Sequence, residues 1–436
     1  MSLRSNRLAD LLSRSPQPVL TGYAATAAFT TYFCMYAFRK PFSAAKYEGL
    51  TLLGTEIDLK TAFVIGQVAG YALSKLIGIK VCSEMTRQRR GAMLLMCVLL
   101  AEVALLLFAV LPNDWKVVAI FINGLPLGMV WGLVVWYLEG RRTSELLLAA
   151  LSCSFILASG AVKDVGRYLM TNVHVAEFWM PAATGALFLP LFIVSVWLLD
   201  HIPNQTAEDE LARTHRERMD SLHRWSFLKH FLPGMLMLLV VVFMLLAYRD
   251  FRDNFGVEVF AQLGYGEEEF ALFTRSELWV AFGVMGALAG LNLIRNNKLG
   301  LLGAFCIMAG GTVMMGVATL MHDAGLVSGL TWMILIGLGS YLAYVPYGSV
   351  LFDRLIASTQ VVGTAVFAIY LADFAGYLGS FGVLLTKDLA AASLSKYEFL
   401  RLMTYILSSV GTMLLVLSAA YFLLGHRHHE ERELPP

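Results

Sequence analysis

The sequence predicts an all-α integral membrane protein with twelve transmembrane helices in two six-helix halves. Three observations carry that expectation. Of 436 residues, 58% are hydrophobic and only 15% charged, with a mean hydropathy of +0.65, whereas a soluble domain carries charge on about a quarter of its residues. Twelve apolar stretches each approach the ~20 residues that a helix rising about 1.5 Å per residue needs to cross the hydrocarbon core. A charged segment then divides them six and six.

Taken in order, the first half (1–199) holds spans near 19–39, 61–82, 91–111, 115–138, 145–170 and 177–199. Arg4, Arg7 and Arg14 precede the first span, and two prolines follow them. No small-residue cleavage site follows that span, so it reads as retained rather than as a signal peptide. Residues 200–226 break the apolar pattern with Asp200-His201-Ile202-Pro203-Asn204 and a mixed-charge run from Glu208 to Arg224. Such a run suits a solvated linker. The second half (227–425) holds spans near 227–252, 268–294, 299–320, 327–353, 360–386 and 399–424, and a polar tail closes the chain at 426–436.

Loop charges set the expected orientation. Arg87, Arg89, Arg90, Arg141, Arg142, Arg213, Arg216, Arg218, Arg295, Lys298, Arg354 and Arg427 fall on the side of the N-terminus and linker. Lys40, Lys46, Lys60, Lys116, Lys387, Lys396 and Arg401 fall on the other. The positive-inside rule therefore puts both termini and the linker in the cytoplasm, in a multi-pass protein of the inner or plasma membrane. A six-plus-six plan of this kind is the sequence form of the major facilitator architecture, in which two halves surround a midplane site.

Charges within the apolar stretches are the candidates for chemistry, because each costs about 2.5–3.5 kcal/mol at the bilayer centre and calls for a partner, water or a ligand. Arg39 and Arg249 recur in related settings, Ala37-Phe38-Arg39-Lys40 and Ala247-Tyr248-Arg249-Asp250, each on the first helix of a half. Either could snorkel to the interface. Tyr32 and Tyr36, however, stand seven and three residues before Arg39 on the same helical face, which suits a water-lined cavity better than lipid. Lys75 lies deep in the second span with Tyr71 one turn before it, facing either a ligand or an acid such as Glu102 or Asp373. Lys163 and Arg167 form a like-charge i,i+4 pair that Asp164 is expected to relieve. Asp373 and Glu277 are candidate ion-pair or proton sites. The planar fork of an arginine matches two oxygens of a phosphate, so two arginines and an ammonium favour an anionic solute, phosphate or a phosphate ester, over a neutral sugar.

No nucleotide loop, zinc signature or nucleophile–base set is present, so neither an enzyme, a cofactor nor a metal centre is expected. The tail histidines His426, His428 and His429 read as solvated. Cys34, Cys82, Cys97, Cys153 and Cys306 lack metal-ligand spacing and read as small buried hydrophobes. A net charge of +1 gives no sign of a nucleic-acid partner; the expected partners are a small anionic solute and the lipid bilayer, with the chain acting as a monomer.

Tyr32 to Ala45 (YFCMYAFRKPFSAA) is similar to the first-helix signature of the organophosphate:phosphate antiporters, a branch of the major facilitators. Tyr71 to Ile77 (YALSKLI) resembles that family's second helix. Asn123-Gly124 with Gly128-Met129-Val130-Trp131 resembles its fourth, and Gly363-Thr364-Ala365 with Phe374 to Ser380 its eleventh. The resemblance implies phosphoryl binding by Arg39 and Arg249, a substrate-facing role for Lys75, and exchange of phosphate for a phosphate ester by rocking of the halves. It also marks departures. Phe155 stands where the glycerol phosphate carriers have a histidine, and Arg295-Asn296-Asn297-Lys298 lacks the acid of the corresponding loop. The eighth-helix acid is displaced to Glu277, about one turn away.

The function expected from the sequence is thus a secondary transporter of an organic anion, a phosphorylated metabolite, exchanging against phosphate by alternating access. A proton-coupled symporter using Asp373 or Glu277, and a transporter-like sensor of a phosphorylated metabolite, are the alternatives.

Overall fold

The computed structural model describes residues 7–138, 141, 143–204, 221–266, 269, 271–294, 296–359 and 365–424. Most of the charged linker, the polar tail, and Arg142, Arg295, Gly363 and Thr364 lie outside these residues. The chain forms two compact units, one of Met1–Thr214 with Gly266–Arg275, the other of His215–Tyr265 with Ser276–Pro436.

In the first unit, α1 (Arg7–Ser13) is followed by α2 (Gln17–Arg39), α3 (Leu59–Glu84), α4 (Arg87–Val110), α5 (Asn113–Leu138), α6 (Ser144–Thr171) and α7 (Met180–Asp200). Proline sets the start and the end of α2. Pro18 lies in its first turn, where no backbone donor is lost, and Pro41 turns the chain into a 3-10 segment, Pro41–Ala44. α2 packs on α6 and α7, α3 on α5, and α4 on α5 and α7. Small residues allow the closest crossing. A Cβ at Gly70 would collide with the Phe121 carbonyl, one at Gly124 would lie 2.5 Å from the Gln67 carbonyl, and one at Gly128 2.6 Å from that of Tyr71. Backbones approach this closely in membranes where side chains are missing, because packing replaces the hydrophobic drive.

The second unit contains α8 (Ser221–Asn254), α9 (Gly256–Gln262), α10 (Leu272–Asn292), α11 (Asn297–Asp323), α12 (Gly329–Ser349), α13 (Leu351–Thr359), α14 (Ala365–Leu389), α15 (Lys396–Ile406) and α16 (Thr412–Leu424). A π-helical turn, Leu407–Gly411, joins the last two. The unit boundary falls inside α10, after Arg275. α8 packs on α14, and α11 on α12. Glycine again sets the approach: a Cβ at Gly379 would collide with the Phe243 carbonyl, and one at Gly311 would lie 2.5 Å from that of Gly339.

This is a multi-pass, all-α membrane architecture. Among the described residues, eight helices are long and apolar enough by themselves to cross a membrane. The other four expected spans fall on α2, α3, α10 and α14, helices of 23, 26, 21 and 25 residues. These four carry Arg39, Lys75, Glu277 and Asp373. The span expected at 327–353 ends at Ser349, where Val350 leaves helical geometry (φ −133°) and α13 begins anew.

Candidate functional site

Arg39, Tyr36, Tyr32, Tyr71 and Lys75, chosen from the sequence, meet in the first unit. The Arg39 guanidinium lies 3.9 Å from the centre of the Tyr71 ring and 5.6 Å from that of Tyr36. It donates to the Tyr36 hydroxyl at 3.4 Å. The Lys75 ammonium lies 5.8 Å from the same Tyr71 ring. A cation over an aromatic face is held by the ring quadrupole, and more strongly where water is excluded. Tyr32 closes the group through its hydroxyl, 3.5 Å from that of Tyr71.

Two residues that the candidate set left out continue this surface. Trp131 of α5 packs edge-on against Tyr32 with ring centres 5.0 Å apart. Phe155 of α6 packs against Trp131 at 6.1 Å. Ile122 and Leu146, exposed aliphatics of α5 and α6, each lie nine residues earlier, which is two and a half turns and therefore the opposite face; without that exposure, which only the structure gives, neither ring stood out in the sequence.

The same helical geometry separates Lys75 from the exposed aliphatics of α3. Lys75 is half-buried between exposed Leu73 and Ile77, each two residues away and so on the far side of α3. Tyr32, Tyr36 and Tyr71 are buried, while Arg39, Lys75, Trp131 and Phe155 remain half-exposed. A snorkelling arginine would extend past its helix end toward the interface; Arg39 instead folds onto the ring of a neighbouring helix.

Polar residues of two further positions hold the cluster. Gln67 donates to the Arg39 carbonyl at 2.7 Å and to the Asn123 side-chain oxygen at 2.9 Å. Asn123 donates in turn to the carbonyls of Phe38 (2.9 Å) and Ala101 (3.1 Å). Two neutral amides, on α3 and α5, thus satisfy backbone acceptors of α2 and α4, where buried groups need partners. Gln67 is legible as an amide one turn before Tyr71 on an apolar helix.

The neighbouring acids are placed differently from expectation. Glu102 faces Gly185 and Phe38, and among the described residues its Oε2 has no hydrogen-bond partner, Lys75 included. Asp164 was expected to relieve Lys163 and Arg167; it instead accepts from the backbone of Phe273 (3.3 Å) and Thr274 (2.6 Å) and from the Thr274 hydroxyl (2.6 Å). It caps the start of α10, whose free N–H groups and positive dipole end favour a carboxylate. Lys163 and Arg167 are both buried, 5.6 and 5.5 Å from the Phe273 ring centre, and Arg167 donates to the Gly266 carbonyl at 3.0 Å.

In the second unit Arg249 has its own aromatic seat. Its guanidinium lies 4.2 Å from the Tyr344 ring centre and 6.0 Å from that of Tyr341, and 3.3 Å from Asp250 Oδ1. Ser380 donates to the other oxygen of Asp250 at 2.7 Å. Exposed Val240 lies nine residues before Arg249, so this arginine also points away from the outer face of its helix. One turn along, Arg252 pairs with Glu277 at 2.9 Å and donates to the Met333 carbonyl at 3.0 Å, both side chains being buried. Glu277 is therefore an ion-pair partner. Asp373 is half-buried on α14.

Residues 41–424 match the family described as "Family of unknown function (DUF5690)". The chain belongs to the DUF5690 family. Among solved structures, the DUF5690 chain is similar to a D-xylose–proton symporter, with a TM-score of 0.57 at 14% identity over 93% of this chain and 96% of that one. It is similar also to a bacterial homologue of the human lysosomal transporter Spinster, with a TM-score of 0.56 at 12% identity over 97% of this chain and 100% of that one. At such identities the likeness establishes a major facilitator-like fold for this DUF5690 member. No curated protein matches the sequence.

Proposed function

We propose that this protein is a secondary transporter of the cell membrane, with both termini cytoplasmic, that moves an organic anion by alternating access. The anion is a phosphorylated metabolite and the counter-substrate is phosphate. One observation carries the reading: the cations of Arg39 and Lys75, both on membrane helices, lie over the one Tyr71 ring, Lys75 on the side of α3 opposite exposed Leu73 and Ile77. A charged residue inside a membrane protein faces a partner or water and marks a solute path. Arginine held by stacking keeps its fork aligned for two oxygens at little entropic cost. Arg249 on Tyr344 gives the second unit an equivalent group. Binding that lowers the energy of the switching state, while the empty carrier lacks that contribution, would make the cycle an exchange.

Proteoliposomes loaded with labelled phosphate test this. External phosphate or a phosphate ester should evoke efflux, and Arg39→Gln should abolish it. Absence of efflux with every phosphate compound would overturn the antiport reading.

A second reading rests on the Arg252–Glu277 pair, a buried acid that a proton could neutralise as its partner moves. Uptake that follows an imposed pH gradient and ignores internal phosphate would favour proton symport.

A further inference from the structure

We infer that the organic end of the transported anion carries a flat aromatic ring, received by Trp131 and Phe155; this rests on the phosphate-ester reading above. The contact chain runs without interruption from the cations to these rings: Arg39 on Tyr71, Tyr71 to Tyr32 through their hydroxyls, Tyr32 to Trp131, and Trp131 to Phe155. Trp131 and Phe155 are the half-exposed end of that chain, on the faces of α5 and α6 turned away from exposed Ile122 and Leu146. Their open surface thus belongs to the side that carries the charges.

The neighbouring hydroxyls show what this wall does not recognise. On α6, Ser152 donates to the Leu148 carbonyl at 2.9 Å and Ser154 to the Leu151 carbonyl at 2.6 Å, both buried. Cys153 between them is buried too. A polyol placed against Phe155 would lose water and find these donors already engaged with their own helix, which is costly for each unsatisfied hydroxyl. An aromatic face loses little water there. It gains offset or edge contacts with two rings whose centres already stand in the range that aromatic pairs favour. Phe155 therefore acts as a specificity residue for the organic group, with the cations holding the anionic end.

Titration calorimetry on the purified full-length protein in detergent, with phenyl phosphate, glycerol phosphate, inorganic phosphate and phenylsulfonate, tests the assignment. Phenyl phosphate is expected to bind about tenfold more tightly than glycerol phosphate, the scale of one or two ring contacts. Phe155→Leu keeps an apolar side chain and should erase most of that preference while leaving inorganic phosphate binding unchanged. Equal binding of the two esters, or an equal loss of both in Phe155→Leu, overturns the ring assignment and leaves the phosphate reading standing. If neither ester nor phosphate binds but phenylsulfonate does, and Phe155→Leu weakens it, the phosphate reading fails and the ring assignment holds. No binding of any of them, with the protein folded by circular dichroism, overturns both.

Discussion

Arg39 at the end of α2 and Tyr71 in the middle of α3 are joined face to face, guanidinium over ring at 3.9 Å. Neither helix alone creates this contact. It exists because Gly70, Gly124 and Gly128 let α3 and α5 touch backbone to backbone, which fixes the height and direction of Tyr71, and because Gln67 ties α3 to the Arg39 carbonyl.

Substituting Tyr71 separates the ring from the hydroxyl. Tyr71→Phe keeps the face that Arg39 occupies and should leave anion binding within about threefold of wild type. Tyr71→Leu removes a cation–π contact of about 0.5–2 kcal/mol and should weaken binding roughly three- to thirtyfold. Arg39→Lys should behave like the Leu variant or worse, since a point charge lacks the planar fork. Calorimetric titration with phosphate reads all three; full tolerance of Lys at 39 would show that the arginine serves the interface instead.

The helix crossing can be tested through its glycines. Gly124→Ala would set a methyl group 2.5 Å from the Gln67 carbonyl and 2.9 Å from the Tyr71 nitrogen, and overpacking of this kind costs about 1–3 kcal/mol. Gly22→Ala on α2 meets nothing within 4 Å and should be neutral or stabilising by about 0.5–1 kcal/mol from helix propensity. Thermal unfolding in detergent should separate the two, and only Gly124→Ala should also weaken anion binding.

Arg252 and Glu277 are buried together, so removing one leaves the other charge without compensation. Arg252→Met or Glu277→Leu should each destabilise the protein by about 3–5 kcal/mol, and the double substitution should recover most of that loss. The cycle measured by thermal melts gives the coupling. If the double variant is as stable as wild type yet moves no solute, the pair acts in the transport cycle rather than in folding.

The start of α10 depends on a carboxylate from another helix, because the residue before it, Ala271, has a positive φ of 54° and no capping side chain. Asp164→Ala should cost about 0.5–2 kcal/mol and speed hydrogen exchange at Phe273 and Thr274, while Asp164→Asn should keep most of the cap. Ala271→Gly should be stabilising by about 1 kcal/mol, since glycine adopts that backbone region without strain. Unchanged exchange in Asp164→Ala would place the cap elsewhere.

Much of the first-unit cluster was legible along single helices. Tyr32, Tyr36 and Arg39 share one face of α2, and Tyr71 and Lys75 one face of α3, because a helix returns each side chain to its face every three to four residues. Which helices lay those faces together was not legible: Trp131 and Phe155 join the cluster only through the packing of α5 and α6 beside α2. The acids show the same limit more sharply. Asp164 sits between two cations in the sequence yet caps a helix that begins 108 residues later, and Arg252, a helix-end cation by sequence, is the one that Glu277 neutralises.

By itself, then, the sequence determined that the chain is a multi-pass helical membrane protein and which few residues carry charge inside it, because hydropathy and helical period are local properties. Only the tertiary structure decided the partners: that Arg39 and Lys75 share Tyr71, that Arg249 rests on Tyr344, and that Glu277 belongs to Arg252. Those pairings join positions far apart in the chain, and a side chain's direction within its own helix does not specify which helix will meet it.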